Sequence, residues 1–123
     1  DMAAAASIVV TGTIGSLPGG SRTIGPLTLT SAAASGVVQQ TVLQSGDNTI
    51  TLPTNITPSG CIIVLPSSNT ALTTLKGAGG DTGIAIGKTG FAVLNWETAN
   101  KPTSFILNSA ATQTGLTTEI LFW

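Results

Sequence analysis

The sequence predicts an all-β fold, a β-sandwich or jelly-roll-like domain of about eight to ten short strands. Three observations lead there. Apolar and polar residues alternate with period two in several short segments. Turn residues and prolines separate those segments at short intervals. No segment keeps the three-to-four-residue apolar spacing of a helix.

The elements follow in chain order. SIVVTGTI (7–14) opens the pattern, and in PLTLT (26–30) Leu27 and Leu29 alternate with threonines. VVQQTVLQ (37–44) is the next candidate. In NTITL (48–52) Ile50 and Leu52 face one way, Thr49 and Thr51 the other. CIIVL (61–65) is an unbroken apolar run, which predicts a strand covered on both sides. ALTTLK (71–76), TGIAI (82–86), FAVLNW (91–96), TSFILN (103–108) and TEILFW (118–123) complete the set. Leu-Pro occurs at Leu17-Pro18, Leu52-Pro53 and Leu65-Pro66, and the latter two close a strand, because proline cannot donate to the next rung. The runs AAAA (3–6) and SAAAS (31–35) could each make one helical turn, too short to stand alone.

Every aromatic residue lies after position 90: Phe91, Trp96, Phe105, Phe122 and Trp123. Large side chains dominate core energetics, so the C-terminal strands are expected to build the centre of the core. Residues 1–35 are expected to form an N-terminal arm or outer strands, and 36–123 the sandwich core of one domain. A chain ending on EILFW needs that end packed inside the sandwich or covered by a partner.

Composition narrows the function. The chain has 123 residues, 41% of them hydrophobic, and a net charge of −1. Only 7% are charged, against about 25% in ordinary soluble domains. Such a surface is covered by Thr, Ser, Asn, Gln and Gly, or by a neighbour. Free monomers usually carry more charge for solubility, so the composition favours life in an assembly. A secreted Thr/Ser-rich β domain has the same composition. Arg22, Lys76, Lys88 and Lys101 are scattered and form no phosphate track, so no nucleic-acid partner is expected. No run of eighteen apolar residues exists, so no membrane span is expected. DMAAAASIVV lacks a basic segment before its apolar run, so an intact signal peptide is not expected, and a start on Asp1 implies that an initiator or leader is missing. Cys61 is the only thiol, excluding an intrachain disulfide, and its place in CIIVL predicts a buried, inert side chain.

GAGGDTGIAIGKTG (77–90) contains two triplets that need testing. A phosphate-binding loop ending at Gly87-Lys88-Thr89 requires glycine at position 82, which is Thr82, and a following helix, where FAVLNW reads as a strand. Asp81-Thr82-Gly83 resembles the triplet of dimeric aspartic proteases, in which Asp81 would share a proton with its twin. Here Gly79-Gly80 precede it where that family has an apolar strand, Ile84 follows it where a small residue is usual, and it lies late in the chain. A capped turn is the plainer reading. Sugar platforms usually expose Trp or Tyr. This chain has no Tyr, and Trp96 and Trp123 sit in apolar runs. The acidic residues show no calcium-loop spacing. Asn55-Ile56-Thr57 fits a glycosylation triplet without other secretory context. No catalytic residue, metal site or cofactor is expected, and no binding residue is assigned.

NTALTTLKGAGGDTGIAI (69–86), followed by a late Trp and an apolar C-terminal strand ending near Phe-Trp, resembles a stretch in small structural proteins of tailed-bacteriophage virions. The resemblance spans roughly residues 46–123. It implies a β-sandwich or jelly-roll subunit on the particle surface, decorating the capsid or attached to the tail. It also implies symmetric homo-oligomers such as trimers, and contacts to the major capsid or other virion proteins without catalytic turnover. A receptor- or glycan-binding β module is the alternative, and a dimeric aspartic protease using Asp81 is a further one.

Overall fold

The computed structural model describes residues 7–30 and 36–123, so both alanine runs lie outside the described residues. Ten strands form. They are β1 (Ser7–Ile14), β2 (Arg22–Thr30), β3 (Val37–Thr41), β4 (Gly46–Thr51), β5 (Gly60–Val64), β6 (Thr73–Lys76), β7 (Ile84–Ile86), β8 (Phe91–Asn95), β9 (Ser104–Ser109) and β10 (Thr118–Phe122). Among the described residues the helical content is a single short turn at Thr98–Asn100. Eight strands make two four-stranded antiparallel sheets, ordered β3-β10-β5-β8 and β4-β9-β6-β7. Of these eight strands only β6 and β7 are consecutive within one sheet, and every other link from β3 onward crosses between sheets. That is the double-sheet order of a jelly roll.

The core lies between the sheets. Cys61, Ile63, Ile120 and Phe122 face Ile50, Phe105 and Leu107, with Leu43, Leu52 and Leu65 closing the ends. The alternation in NTITL holds, since Ile50 and Leu52 are buried and Thr49 and Thr51 exposed. The late aromatics largely behave as expected: Phe105, Phe122 and Trp123 are buried, and Trp96 packs on the core. Phe91 is the exception, 69% exposed at the start of β8. Gln39 at the β3 edge donates to the Thr51 carbonyl across the sandwich at 2.8 Å, tying the two sheets where edge strands meet.

The C-terminal strand is central. β10 pairs with β3 on one side and β5 on the other. The Ser59 amide donates to the Trp123 carbonyl (2.6 Å) and the Trp123 amide to the Gly60 carbonyl (3.2 Å). The indole lies over Gly60, where a Cβ would come within 2.6 Å of Cζ2 and would also strike the Leu94 carbonyl. At the other end a buried polar cluster replaces apolar packing. Gln113 Nε2 donates to Ser109 Oγ (3.0 Å) and to Thr73 Oγ1 (3.2 Å), and Ser109 Oγ donates to the Ala111 carbonyl.

Residues 7–30 form a separate two-stranded sheet. Ile8 opposes Leu29 and Val10 opposes Leu27, so these four share one face. A bulge then sets Gly12 opposite Ile24, two residues on in β1 and three in β2, which keeps Ile24 on the same face as Leu27. Gly25 makes the bulge with φ +77, and a Cβ there would collide with the Val10 carbonyl. Ile14, opposite Arg22, continues the apolar face to the tip. The opposite face carries Ser7, Val9, Thr11, Thr13, Thr23, Thr28 and Thr30.

Two substitutions test this packing by chemical denaturation. Gly60→Ala overpacks the Trp123 contact and is expected to destabilise by about 1–3 kcal/mol. Gln113→Ala strips donors from the buried hydroxyls of Thr73 and Ser109 and is expected to cost about 1–3 kcal/mol.

Candidate interaction surface

The glycine-rich stretch is turn structure. Asp81 Oδ2 accepts the Ala78 amide at 2.8 Å, and the Asp81 amide donates to the Ala78 carbonyl at 3.1 Å, so this carboxylate caps its own turn between β6 and β7. Gly83 has φ +76, and a Cβ there would sit 2.5 Å from the Leu75 carbonyl oxygen, which makes glycine necessary. Gly87-Lys88-Thr89-Gly90 is the turn from β7 to β8, closed by the Gly90 amide on the Gly87 carbonyl (2.8 Å). Asn69 Nδ2 donates to the Lys88 carbonyl at 2.6 Å and braces that turn. Neither triplet precedes a helix.

The remaining sequence candidates are also structural. Cys61 is fully buried, and burial pushes its thiol up to about 12, so at neutral pH it is protonated and unreactive. Trp96 donates its indole N–H to the Pro58 carbonyl at 2.8 Å while its ring packs on the core. Trp123 is buried. Trp123 therefore offers no open stacking face, and Trp96 is half-buried. Among the described residues no three His, Cys, Asp or Glu side chains converge.

What distinguishes the molecule is the contrast between its two outer sheet faces. On the β4-β9-β6-β7 sheet, Asp47, Asn108, Thr74 and Ala85 form one row across the strands. Asp47 Oδ1 accepts from Asn108 Nδ2 (2.6 Å) and pairs with Lys76 Nζ (3.3 Å), which also reaches the Gly79 carbonyl. That face suits water. On the β3-β10-β5-β8 sheet, the matching row is Val38, Leu121, Ile62 and Val93. The next row is Gln40, Glu119, Val64 and Phe91. Val38 is 56% exposed and Phe91 69%, and Val64 is exposed beside them. Gln40 Nε2 donates to Glu119 Oε2 at 2.8 Å, and Glu119 is the only charged residue in these four strands.

This face corrects one expectation. CIIVL is covered in full on one side only: Cys61, Ile63 and Leu65 point into the core, while on the outer side Ile62 is half-buried beside Ile8 of the ribbon and Val64 faces out. The physical reason is that each sheet has a single partner sheet. A one-sided strand in water would carry polar residues at its outer positions. The apolar outer positions in β3, β5 and β10 were the available signal for this surface, and sequence reasoning did not use it.

A second feature lies on the opposite flank. The edge strands β7 and β8 leave an open groove of about 570 Å³ between the sheets, lined by Leu75, Ile84, Leu94, Pro102 and Phe105 with Lys76 and Asp81 at its rim. Ile84 is 72% exposed there.

No protein-family model matches this chain, and comparison with curated proteins and with solved structures found no match.

The polar face makes a pH prediction. The Asn108 hydrogen bond, opposed by partial desolvation and aided by Lys76, holds the Asp47 carboxyl below its ordinary 3.8. A carboxyl lowered in the fold contributes stability above its unfolded value and loses it as pH falls through its folded value. Asp47→Asn is therefore expected to flatten the stability decline below about pH 4 relative to the wild type, read by chemical denaturation across the acid range.

Proposed function

We propose that this chain is a non-enzymatic structural subunit of a virion, a capsid-decoration protein that stabilises the shell through protein–protein contacts. The observation that carries this reading is the open apolar face of the β3-β10-β5-β8 sheet on a chain with four basic and five acidic residues. Contiguous exposed apolar surface marks a contact site, and low charge removes the repulsion that keeps monomers apart. The jelly-roll order alone names no function, since viral capsid and lectin domains both use it. The resemblance of residues 46–123 to small structural proteins of tailed-bacteriophage virions supports a location on the particle. In this reading the subunits form symmetric clusters and bury their apolar faces against one another and against major capsid protein. The added interface area resists expansion of the shell.

The groove between β7 and β8 favours a second reading, a tail-associated or receptor-binding module. Its apolar lining suits a protein or apolar ligand better than a sugar.

Sedimentation of the source material tests the first reading. The chain is expected to travel with a megadalton particle, and recovery only as a free monomer or dimer would overturn it. Phe91→Asp leaves the core untouched and is expected to lower occupancy on particles about tenfold or more. Ile84→Asp separates the readings. Particles that retain the chain but lose attachment to their host would favour the receptor-binding module.

A further inference from the structure

The ribbon of β1 and β2 presents a problem of its own. A two-stranded ribbon is marginal in water unless its apolar face is covered. Here Ile8, Val10, Ile14, Ile24, Leu27 and Leu29 share one face. Leu27 is 57% exposed, Ile14 47% and Val10 38%. Near the base of the ribbon, Ile8 lines a cleft of about 190 Å³ together with Val38, Ile62 and Leu121 of its own sandwich. From that point the stripe runs on, uncovered, toward Ile14 and Arg22. The sheet face it touches there is likewise uncovered beyond the cleft, at Val64 and Phe91.

The charges on the two surfaces are complementary. Arg22 is the only charged residue in the ribbon strands, and its register puts it on the apolar face beside Ile14. Glu119 is the only charged residue in the β3-β10-β5-β8 sheet, and it lies on the outer face beside Val64. Each apolar surface thus carries one charge, of opposite sign.

We propose that the ribbon of one copy of this chain lies across the outer face of the β3-β10-β5-β8 sheet of a second copy, with Arg22 reaching Glu119, and that the exchange is reciprocal. This deepens the reading of the chain as an assembly subunit and rests on it, by naming the surfaces through which copies join. Val10, Ile14 and Leu27 on the ribbon and Val38, Val64 and Phe91 on the sheet are 37–69% exposed. At about 60–120 Å² per fully exposed apolar side chain, two reciprocal contacts bury on the order of 400–700 Å² from these residues. Their half-buried neighbours, Arg22, Glu119 and backbone add to this, which brings the exchange toward the roughly 1,000 Å² of a specific interface. A two-fold exchange closes on itself and leaves no free ribbon.

Charge exchange on the purified full chain tests it, with mass read by light scattering and sedimentation equilibrium. The wild type is expected to assemble above the monomer. Arg22→Glu alone and Glu119→Arg alone each set like charges face to face and are expected to weaken assembly by about tenfold or more. Mixing these two variants restores both opposite-charge contacts between unlike copies, so the mixture is expected to regain the wild-type mass. That recovery also shows that each variant is folded. A monomeric wild type would overturn the proposal, as would single variants that assemble normally. Recovery in the Arg22→Glu/Glu119→Arg double variant without recovery in the mixture would place the contact within one chain and also overturn it. A wild-type monomer that still sediments with particles would sink the exchange while leaving the virion reading in place.

Discussion

The sandwich depends on the seating of its last strand. β10 lies between β3 and β5, so the sheet that contains it has no continuity without residues 118–122. Ile120 and Phe122 supply the inner face of that strand, each contributing about 1.5–3 kcal/mol by burial. Trp123 then closes the end over Gly60, held by backbone bonds at Ser59 and Gly60. β9 has the same place in the other sheet, between β4 and β6. Both central strands come late in the sequence, and both bridge strands that are far apart in it. Such non-local pairing folds slowly, because chain entropy is lost before contacts compensate for it. Three of the five aromatics fit this arrangement: Phe105 lies on β9 and Phe122 on β10, and Trp123 directly follows β10, whereas Phe91 sits on the edge strand β8.

Once the inner faces are buried, the outer faces are free to differ, and here they do. The β4-β9-β6-β7 face carries an Asp–Lys–Asn cluster and threonines. The β3-β10-β5-β8 face carries valine, isoleucine, leucine and phenylalanine, interrupted by one Gln–Glu pair. Core packing does not require this asymmetry, since a strand's inner positions specify the sandwich whatever the outer ones hold. Packing between the two sheets therefore does not account for the apolar outer rows. The ribbon makes the same point. Its bulge at Gly25 preserves the phase of Ile24, which keeps one face apolar over the full length of the hairpin.

Much of the fold was legible in the sequence. Ile50 and Leu52 alternate with threonines because one face of β4 meets the core and the other meets water. Leu52-Pro53 and Leu65-Pro66 end strands for the reason expected of proline, and the all-β class follows from such local rules. The order of strands within each sheet was not legible, because pairing between distant segments leaves no local mark. The surface was legible only in part. The continuous run CIIVL was visible but fits two arrangements, a strand sandwiched within its own chain and a strand whose outer side faces another molecule. Periodicity cannot separate them. Asp81 and Lys88 drew notice because their triplets resemble active sites, yet Asp81 caps a turn and the Lys88 carbonyl is braced by Asn69. Those bonds run to backbone atoms several residues away, which a triplet does not encode.

Scarcity of charge gives the few charges more influence. In a charge-rich surface a single Arg or Glu is one of many, and salt and water dilute its effect. On an apolar face it is the one feature that distinguishes one register from another. Apolar contact is non-directional and would accept many alignments of a ribbon on a sheet. An alignment that buries Glu119 against leucine is costly, whereas one that offers it a guanidinium is not. Charge in that setting contributes selectivity more than affinity, by penalising the wrong alignments. The same reasoning accounts for the Gln40 bond to Glu119: a neutral donor steadies the carboxylate on an open apolar face without cancelling its charge, so the face keeps its one directional signal.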